Sequence, residues 1–416
     1  MKLNLFLFVV VLFSNCSDDI VIPDLPPVVP KDTLVIKWKQ LLSDDFISRY
    51  NSKPLIKDDQ VISSKYDLLS TEIEPIYAFN KHTGAINWVW NDYLFPENGE
   101  DVRWCQSFSN SIYCCSMEAF YTIDWQTGQT VKNFHLKSQR DLFGNVYGGY
   151  VFDNMAFPIG RFTDPGETRI YNSQIYSLNL ENLSLFPIIK FQVDSFGDPL
   201  LIAPEIYKNR DGHILLIGRC WRRETKSYWI SRINIFCYNY TLNKYEWQLD
   251  SIEDVKHDRT TKTIDDRIYY QVAYGVYCLD LKTGAIIWKY LFNDKAFVRS
   301  DLLIADSKIF LSSSSSGHVF ALDQYTGKLI WSNTKNEETG AGSNGKLTYY
   351  KNRLYYSDGR IFILDASTGK LLHKYSSPNY NKLYDDPLIS DITIDEQTDL
   401  MYFADGYFMM CAELPK

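Results

Sequence analysis

The chain has 416 residues, 45% of them hydrophobic, enough to bury a sizeable core. Its formal net charge of -8, from 43 basic and 51 acidic residues, argues against a phosphate backbone as partner, so no nucleic acid is expected. An aromatic fraction of 15%, with 30 Tyr, 24 Phe and 10 Trp, favours strands over helices.

The chain opens with Lys2 and an apolar run of 11 residues, Leu3 to Phe13, too short to cross a bilayer as a helix. The run enters the stretch FSNCSDD. This resembles a lipoprotein signal peptide, residues 1–15, with Cys16 as the lipidated first residue of the mature chain. Asn15 stands where such signals usually carry a small residue, and an ordinary secretory signal with an incidental Cys is the other reading. Ser17, Asp18 and Asp19 resemble the acidic export signal of Bacteroidetes-type surface lipoproteins. The expectation is a lipid anchor in the outer membrane with display at the cell surface; a periplasm-facing anchor is the alternative. Residues 16–32 read as the lipidated Cys and a Pro-rich tether, leaving 33–416 as one domain.

Within that domain one phrase recurs, seen in YCLDLKTGAIIWKY (277–290), FALDQYTGKLIWSN (320–333) and FILDASTGKLLHKY (362–375). Its turn is kept at Asn80–Gly84, Asp124–Gly128, Asp280–Gly284, Asp323–Gly327 and Asp365–Gly369, with eroded copies at Asn239–Asn243 and Asn179–Leu183. An Asp or Asn side chain accepts hydrogen bonds from the backbone N–H groups just ahead of it, and Gly tolerates the positive φ that closes the turn. Each copy therefore reads as a β-hairpin. Four residues beyond the turn Gly or its equivalent stand Trp88, Trp247, Trp288 and Trp331, with Lys132, Pro187 and His373 in the remaining copies. These positions recur every 41 to 60 residues, the length of a four-stranded propeller blade. The Trp side chains are expected to pack between blades rather than stack on a ligand.

After Tyr375 the chain offers three strands, 388–394, 399–405 and 407–414, and then ends one strand short of a unit. TLVIKWKQLL (33–42) carries Trp38 in a strand with no hairpin before it. This predicts an all-β, eight-bladed β-propeller, closed by the N-terminal strand completing the last blade.

The phrase resembles the tryptophan-docking repeat of the pyrroloquinoline quinone-like propellers, over about 33 to 414. That superfamily includes quinoprotein alcohol dehydrogenases. It also includes the lipoprotein propeller of the outer-membrane barrel-assembly machinery, which binds partners and has no cofactor. The resemblance implies the fold and leaves the activity open, because the phrase is scaffold.

Two residues before the turn Asp or its equivalent stand Ala78, Thr122, Ser177, Cys237, Cys278, Ala321, Ile363 and Cys411, nearly all small. Three Cys are thereby read as small hydrophobes in equivalent slots, too far apart to bond to one another. Cys114-Cys115 invites comparison with the vicinal disulfide of the quinoprotein dehydrogenases, but the pair falls in a strand, where adjacent side chains point to opposite faces. A bridge from Cys105 to Cys114 or to Cys115 stays open. The calcium ligands, catalytic Asp and cofactor-stacking Trp of those dehydrogenases do not map onto this chain, the His residues are scattered, and no G-x-S-x-G occurs. No catalytic residue, metal or cofactor is assigned.

Function on repeat folds sits where the period breaks. Two insertions do so, at 153–174 and 218–234, both between the second and third strands of adjacent blades and hence on one face. The first contributes Arg161 and Asp164. The second concentrates Arg219, Trp221, Arg222, Arg223, Lys226, Tyr228, Trp229 and Arg232, residue types that dominate binding hot spots and suit sugar rings and carboxylates. A solvated hairpin with alternating charge, or a basic patch facing anionic lipid, are the plainer readings. The leading expectation is a non-enzymatic, lipid-anchored scaffold holding a protein or glycan partner, as a monomer or a subunit of an envelope complex. A quinoprotein oxidoreductase and an outer-membrane barrel-assembly scaffold are the alternatives.

Overall fold

The computed structural model describes residues 34–42, 53–64, 75–94, 104–116, 119–135, 146–162, 172–192, 194–195, 197–223, 230–250, 258–272, 274–292, 300–312, 318–333, 346–357, 360–376, 390–405 and 407–416. Every element named among them is a strand. The strands form eight four-stranded antiparallel sheets, and seven of these are made of consecutive strands. The eighth joins Thr393–Asp395, Leu400–Ala404 and Phe408–Glu413 to the N-terminal strand Ile36–Leu41. The chain is an eight-bladed β-propeller whose last blade is completed by its first strand. Cys16 and the 1–32 segment lie outside the described residues.

Burial is distributed rather than central. Each of eight apolar clusters lies at the junction of two neighbouring blades. The two middle strands of a blade are covered on both faces, so Gly275–Asp280 is buried along nearly its whole length. The outer strand is covered on one side only, and Ile286–Leu291 starts with two exposed residues.

The recurring turn builds itself from local bonds. Asp323 Oδ1 accepts from the backbone N–H groups of Tyr325 at 3.1 Å and Thr326 at 2.7 Å and from the Thr326 hydroxyl, whose oxygen in turn accepts from the Lys328 N–H. Asn80 does the same work in the first blade. The turn Gly has positive φ, 74° at Gly84. Leu183 and Asn243 adopt it too, at 58° and 53°, in the eroded copies.

The small residue of the phrase lies directly opposite the docking residue: Ala78 faces Trp88, Cys237 faces Trp247, Cys278 faces Trp288, Ala321 faces Trp331 and Cys411 faces Trp38. The three Cys are fully buried in three different junction clusters. Burial pushes their thiols up, to about 12, about 11 and about 12 for Cys237, Cys278 and Cys411. Blade three departs from the expected alignment. Ser177 faces Phe186, and Pro187 faces Tyr176, because the bulge of that hairpin lies two residues farther from the turn than in the other blades.

Each docking indole lies on the turn Gly of the following blade. Trp38, Trp88, Trp247, Trp288 and Trp331 cover Gly84, Gly128, Gly284, Gly327 and Gly369 respectively. Four of the indole N–H groups donate to the carbonyl just after the turn Asp or Asn: Lys81, Trp125, Leu281 and Ala366. Where the next blade lacks the Gly, the Trp is also missing. Lys132 faces the turn of Leu183, and Pro187 stands ahead of the turn of Asn243. Lys132 keeps the polar half of the joint, donating from Nζ to the Leu180 carbonyl at 2.7 Å and the Glu181 carbonyl at 2.6 Å. His373 precedes blade eight, whose third and fourth strands come from opposite ends of the chain and share no such turn.

Candidate functional site

Blades three and four break the ring's regularity. Blade four has inner strands of 11, 10 and 10 residues, Asp198–Lys208, Ile214–Arg223 and Ile230–Asn239. Blade three has middle strands of 8 and 8, Met155–Phe162 and Asn172–Asn179. The corresponding middle strands of blades six and seven have 5 each. The extra length extends toward the face opposite the Asp-x-x-Thr-Gly turns. The insertion expected as a loop at 218–234 is thus mostly ladder, with Arg219 opposite Ile235 and Arg222 opposite Arg232. Residues 224–229 lie outside the described residues, with Lys226, Tyr228 and Trp229 among them; so does Asp164. Arg161 pairs with Ser173, and Arg223 with Asp198 and Ile230, in the ladders.

The strand period decides where the basic residues go. Arg219 and Arg222 stand three apart and so emerge on opposite faces of the blade. Arg219, 5% exposed, donates from a guanidinium NH to Thr261 Oγ1 at 3.0 Å in blade five and sits 5.8 Å over the Tyr270 ring. Trp221, half-buried, packs against the same junction cluster. Arg222, 8% exposed, turns to blade three, where it meets Asp194 at 3.1 Å, the Gln192 carbonyl and the Phe191 ring. These side chains are not brought together as one exposed patch. Both guanidinium groups join blades.

Beside Arg219, Glu205 accepts from the Thr263 N–H at 2.8 Å and the Thr263 hydroxyl at 3.2 Å, tying blade four to blade five. Burial pushes its carboxyl up to about 7, against the opposing pull of the Thr263 bonds, Lys262 and Arg219.

What the raised rim does expose is a cleft between blades three and four with a volume of about 290 Å³. Phe191 and Arg222 form one wall, and Asn234, Gln248, Asp250 and Asp194 supply its polar edge. Asn234 Nδ2 donates to Asp250 at 3.3 Å. Gln248, Asp250 and Asp194 are exposed. The lining holds carboxylates, amides and a guanidinium but no Ser, Cys, His or Lys. Such a set can hydrogen-bond hydroxyls or peptide groups against an aromatic wall. Sequence reasoning missed Asn234, Gln248 and Asp250. Their signal was weak, since they are ordinary polar residues on two strands that meet only in the folded blade.

Residues 241–394 match the family model PQQ_2, described as outer membrane protein assembly factor BamB. BamB from Moraxella catarrhalis superposes with a TM-score of 0.57 at 13% identity, covering 92% of this chain and 100% of that one. Over residues 241–394 this eight-bladed β-propeller is similar to the PQQ-like repeat family. Quinohemoprotein alcohol dehydrogenase from Comamonas testosteroni shares the fold, with a TM-score of 0.63 at 11% identity over 92% of this chain and 77% of that one. In sequence, polyvinylalcohol dehydrogenase of Pseudomonas sp is 28% identical over 139 residues, covering 27% of this chain. The matched segment spans only 21% of that relative's length.

The group that the dehydrogenase resemblance implies, a quinone with its metal, does not fit the described residues. Cys114 and Cys115 are buried in two different blade junctions, so neither presents sulfur to a cofactor over the channel. Among the described residues no three His, Cys, Asp or Glu side chains converge as metal ligands.

Proposed function

We propose that this propeller is a non-enzymatic binding scaffold of the bacterial envelope. It is anchored in the outer membrane through lipid on Cys16, displayed at the cell surface, and holds its partner on the raised rim of blades three and four. The observation that carries the reading is the lengthening of the blade-four strands with a polar-edged cleft at their base. The match to an outer-membrane assembly factor favours a protein partner within an envelope complex over a glycan. Rim residues that the ladder leaves exposed, Gln248 and Asp250, and the 224–229 connection carry the contact.

The test replaces 224–229 with a Gly-Ser linker and adds Gln248→Ala and Asp250→Ala. The circular dichroism spectrum and melting temperature should hold, while the cross-linked partner recovered from intact cells is lost. Undiminished cross-linking would sink the reading. Protease digestion of intact cells separates surface display from a periplasm-facing barrel-assembly role. A second reading, a quinone-dependent oxidoreductase, is favoured only by the polyvinylalcohol dehydrogenase match. Bound-quinone absorbance with dye-linked turnover, after reconstitution with quinone and calcium, would replace the scaffold reading with it.

A further inference from the structure

Cys105 and Cys114 face each other across blade two. Cys105 lies in the inner strand Trp104–Phe108, Cys114 in its neighbour Ser111–Cys115, and the two are direct partners in the antiparallel register. Direct partners in such a ladder have Cα atoms about 4.5 to 5.5 Å apart, inside the roughly 4.4 to 6.8 Å window of a disulfide. Both side chains also point the same way. Cys114 belongs to the cluster between blades one and two, and Cys105 packs against that cluster. Cys115 is excluded as the alternative. It pairs with Trp104, its thiol donates to the Ser116 carbonyl at 3.3 Å, and it is buried in the cluster between blades two and three. A strand cannot turn two adjacent residues to one face.

We propose that Cys105 and Cys114 form a reversible cross-strand disulfide, a redox-sensitive staple of the inner strand of blade two. Both are free thiols in the structure. Their accessibility orders the chemistry. Cys105 is only partly buried, whereas Cys114 is fully buried. Burial, and then the hydrogen bond with Cys105, holds the Cys114 thiol well above the ordinary range. Cys105 therefore reacts first, as a thiolate, with a low-molecular-weight disulfide. One new S–S bond forms, and one thiolate leaves. The Cys114 sulfur then loses its proton and attacks Cys105 Sγ, expelling the second thiol of the reagent. Two protein thiols are oxidised, one reagent disulfide is reduced to two thiols, and both protons end on them. The inner strand stands at the edge of its sheet and has one ladder neighbour, so the bond fixes that edge. This inference is independent of the partner-binding reading.

The experiment exposes the full mature chain to glutathione disulfide, alkylates the remaining thiols after denaturation, and maps peptides without reduction. A Cys105–Cys114 linked peptide, retained in Cys115→Ser and absent in Cys114→Ser, is expected. Near-complete alkylation of both residues after oxidation overturns the proposal, as does a link from Cys105 to Cys115. The wild type and Cys115→Ser decide the matter even if Cys114→Ser does not fold.

Discussion

The indole of Trp38 lies flat on Gly84, so that a Cβ added to that glycine would sit 2.6 Å from the ring. The two residues come from blade eight and blade one, and the contact is the lock of the ring. The Trp38 N–H donates to the Lys81 carbonyl at 2.9 Å, the same carbonyl that accepts from the Tyr402 hydroxyl at 3.1 Å.

Removing this lock should destabilise the whole propeller. Trp38→Ala is expected to cost about 3 to 5 kcal/mol, the range for truncating a buried Trp. Gly84→Ala should cost about 1 to 3 kcal/mol from overpacking and backbone strain. The double variant should lose less than the sum, since both changes disrupt one contact. Urea unfolding of the three variants measures the coupling. Strict additivity would show that the two residues act independently.

The joint between blades two and three should accept a rebuilt Trp only in the right company. Lys132→Trp alone places an indole against Leu183, which has a side chain where the five docked turns have Gly, and should lower the melting temperature. Lys132→Trp with Leu183→Gly should recover part or all of the loss, because the Gly opens the docking surface and tolerates the positive φ at that position. No rescue by Leu183→Gly would refute the pairing rule.

Lys81 and Asp395 form a buried ion pair at 3.2 Å across the closing junction, each side chain under 10% exposed. Breaking one side leaves an uncompensated buried charge, and Asp395→Ala should cost about 3 to 5 kcal/mol. The exposed pair Lys351–Asp399, at 2.7 Å, provides the contrast. Asp399→Ala should leave stability nearly unchanged, because solvent and salt screen an exposed pair. Equal losses at the two sites, by denaturant titration, would contradict the assignment.

Glu205 gives stability a pH dependence at neutral pH. Its native pKa of about 7 is raised above the ordinary 4.5 by burial. A raised carboxyl favours folding fully below the unfolded value and loses that advantage as pH rises through the native one. The loss between the two values is up to about 3 kcal/mol. Glu205→Gln cannot ionise, so the difference between wild type and variant should change between pH 5 and pH 8 and level off above. A flat difference would show that Glu205 is ionised throughout.

The turn carboxylates act at the opposite end of the scale. The Thr283 and Thr326 hydroxyls, and the Thr127 N–H, hold Asp280, Asp323 and Asp124 below their usual 3.8. Their contribution is present above that value and is lost as pH falls through the depressed native values. Asp323→Asn should keep the turn, as Asn80 does naturally, while removing its share of the acid transition. Urea unfolding from pH 5 down to pH 2 reads this out. An unchanged acid limb in Asp323→Asn would count against it.

Much of this architecture is legible without coordinates because its causes are local. The Asp, Thr and Gly of each turn satisfy one another within six residues. The phrase recurs, so counting it counts blades, and Trp38 without a preceding hairpin marks the strand that closes the ring. The candidate rim was less legible. An Arg- and Trp-rich stretch looks like a binding loop when only composition is read. The two-residue period of a strand then sends Arg219 toward blade five and Arg222 toward blade three, where each is consumed in holding blades together.

The amino-acid sequence by itself determined the repeat, the blade number and the slot in which Cys237, Cys278 and Cys411 lie, because turn chemistry and side-chain size act over a few residues. Only the tertiary structure decided which partners meet between repeats. It set Trp38 on Gly84, Lys81 against Asp395, Cys105 opposite Cys114 rather than Cys115, and Asn234 beside Asp250 at the mouth of a cleft. Those contacts depend on how strands are registered and on which face of a blade each side chain emerges, and both are set when neighbouring blades pack.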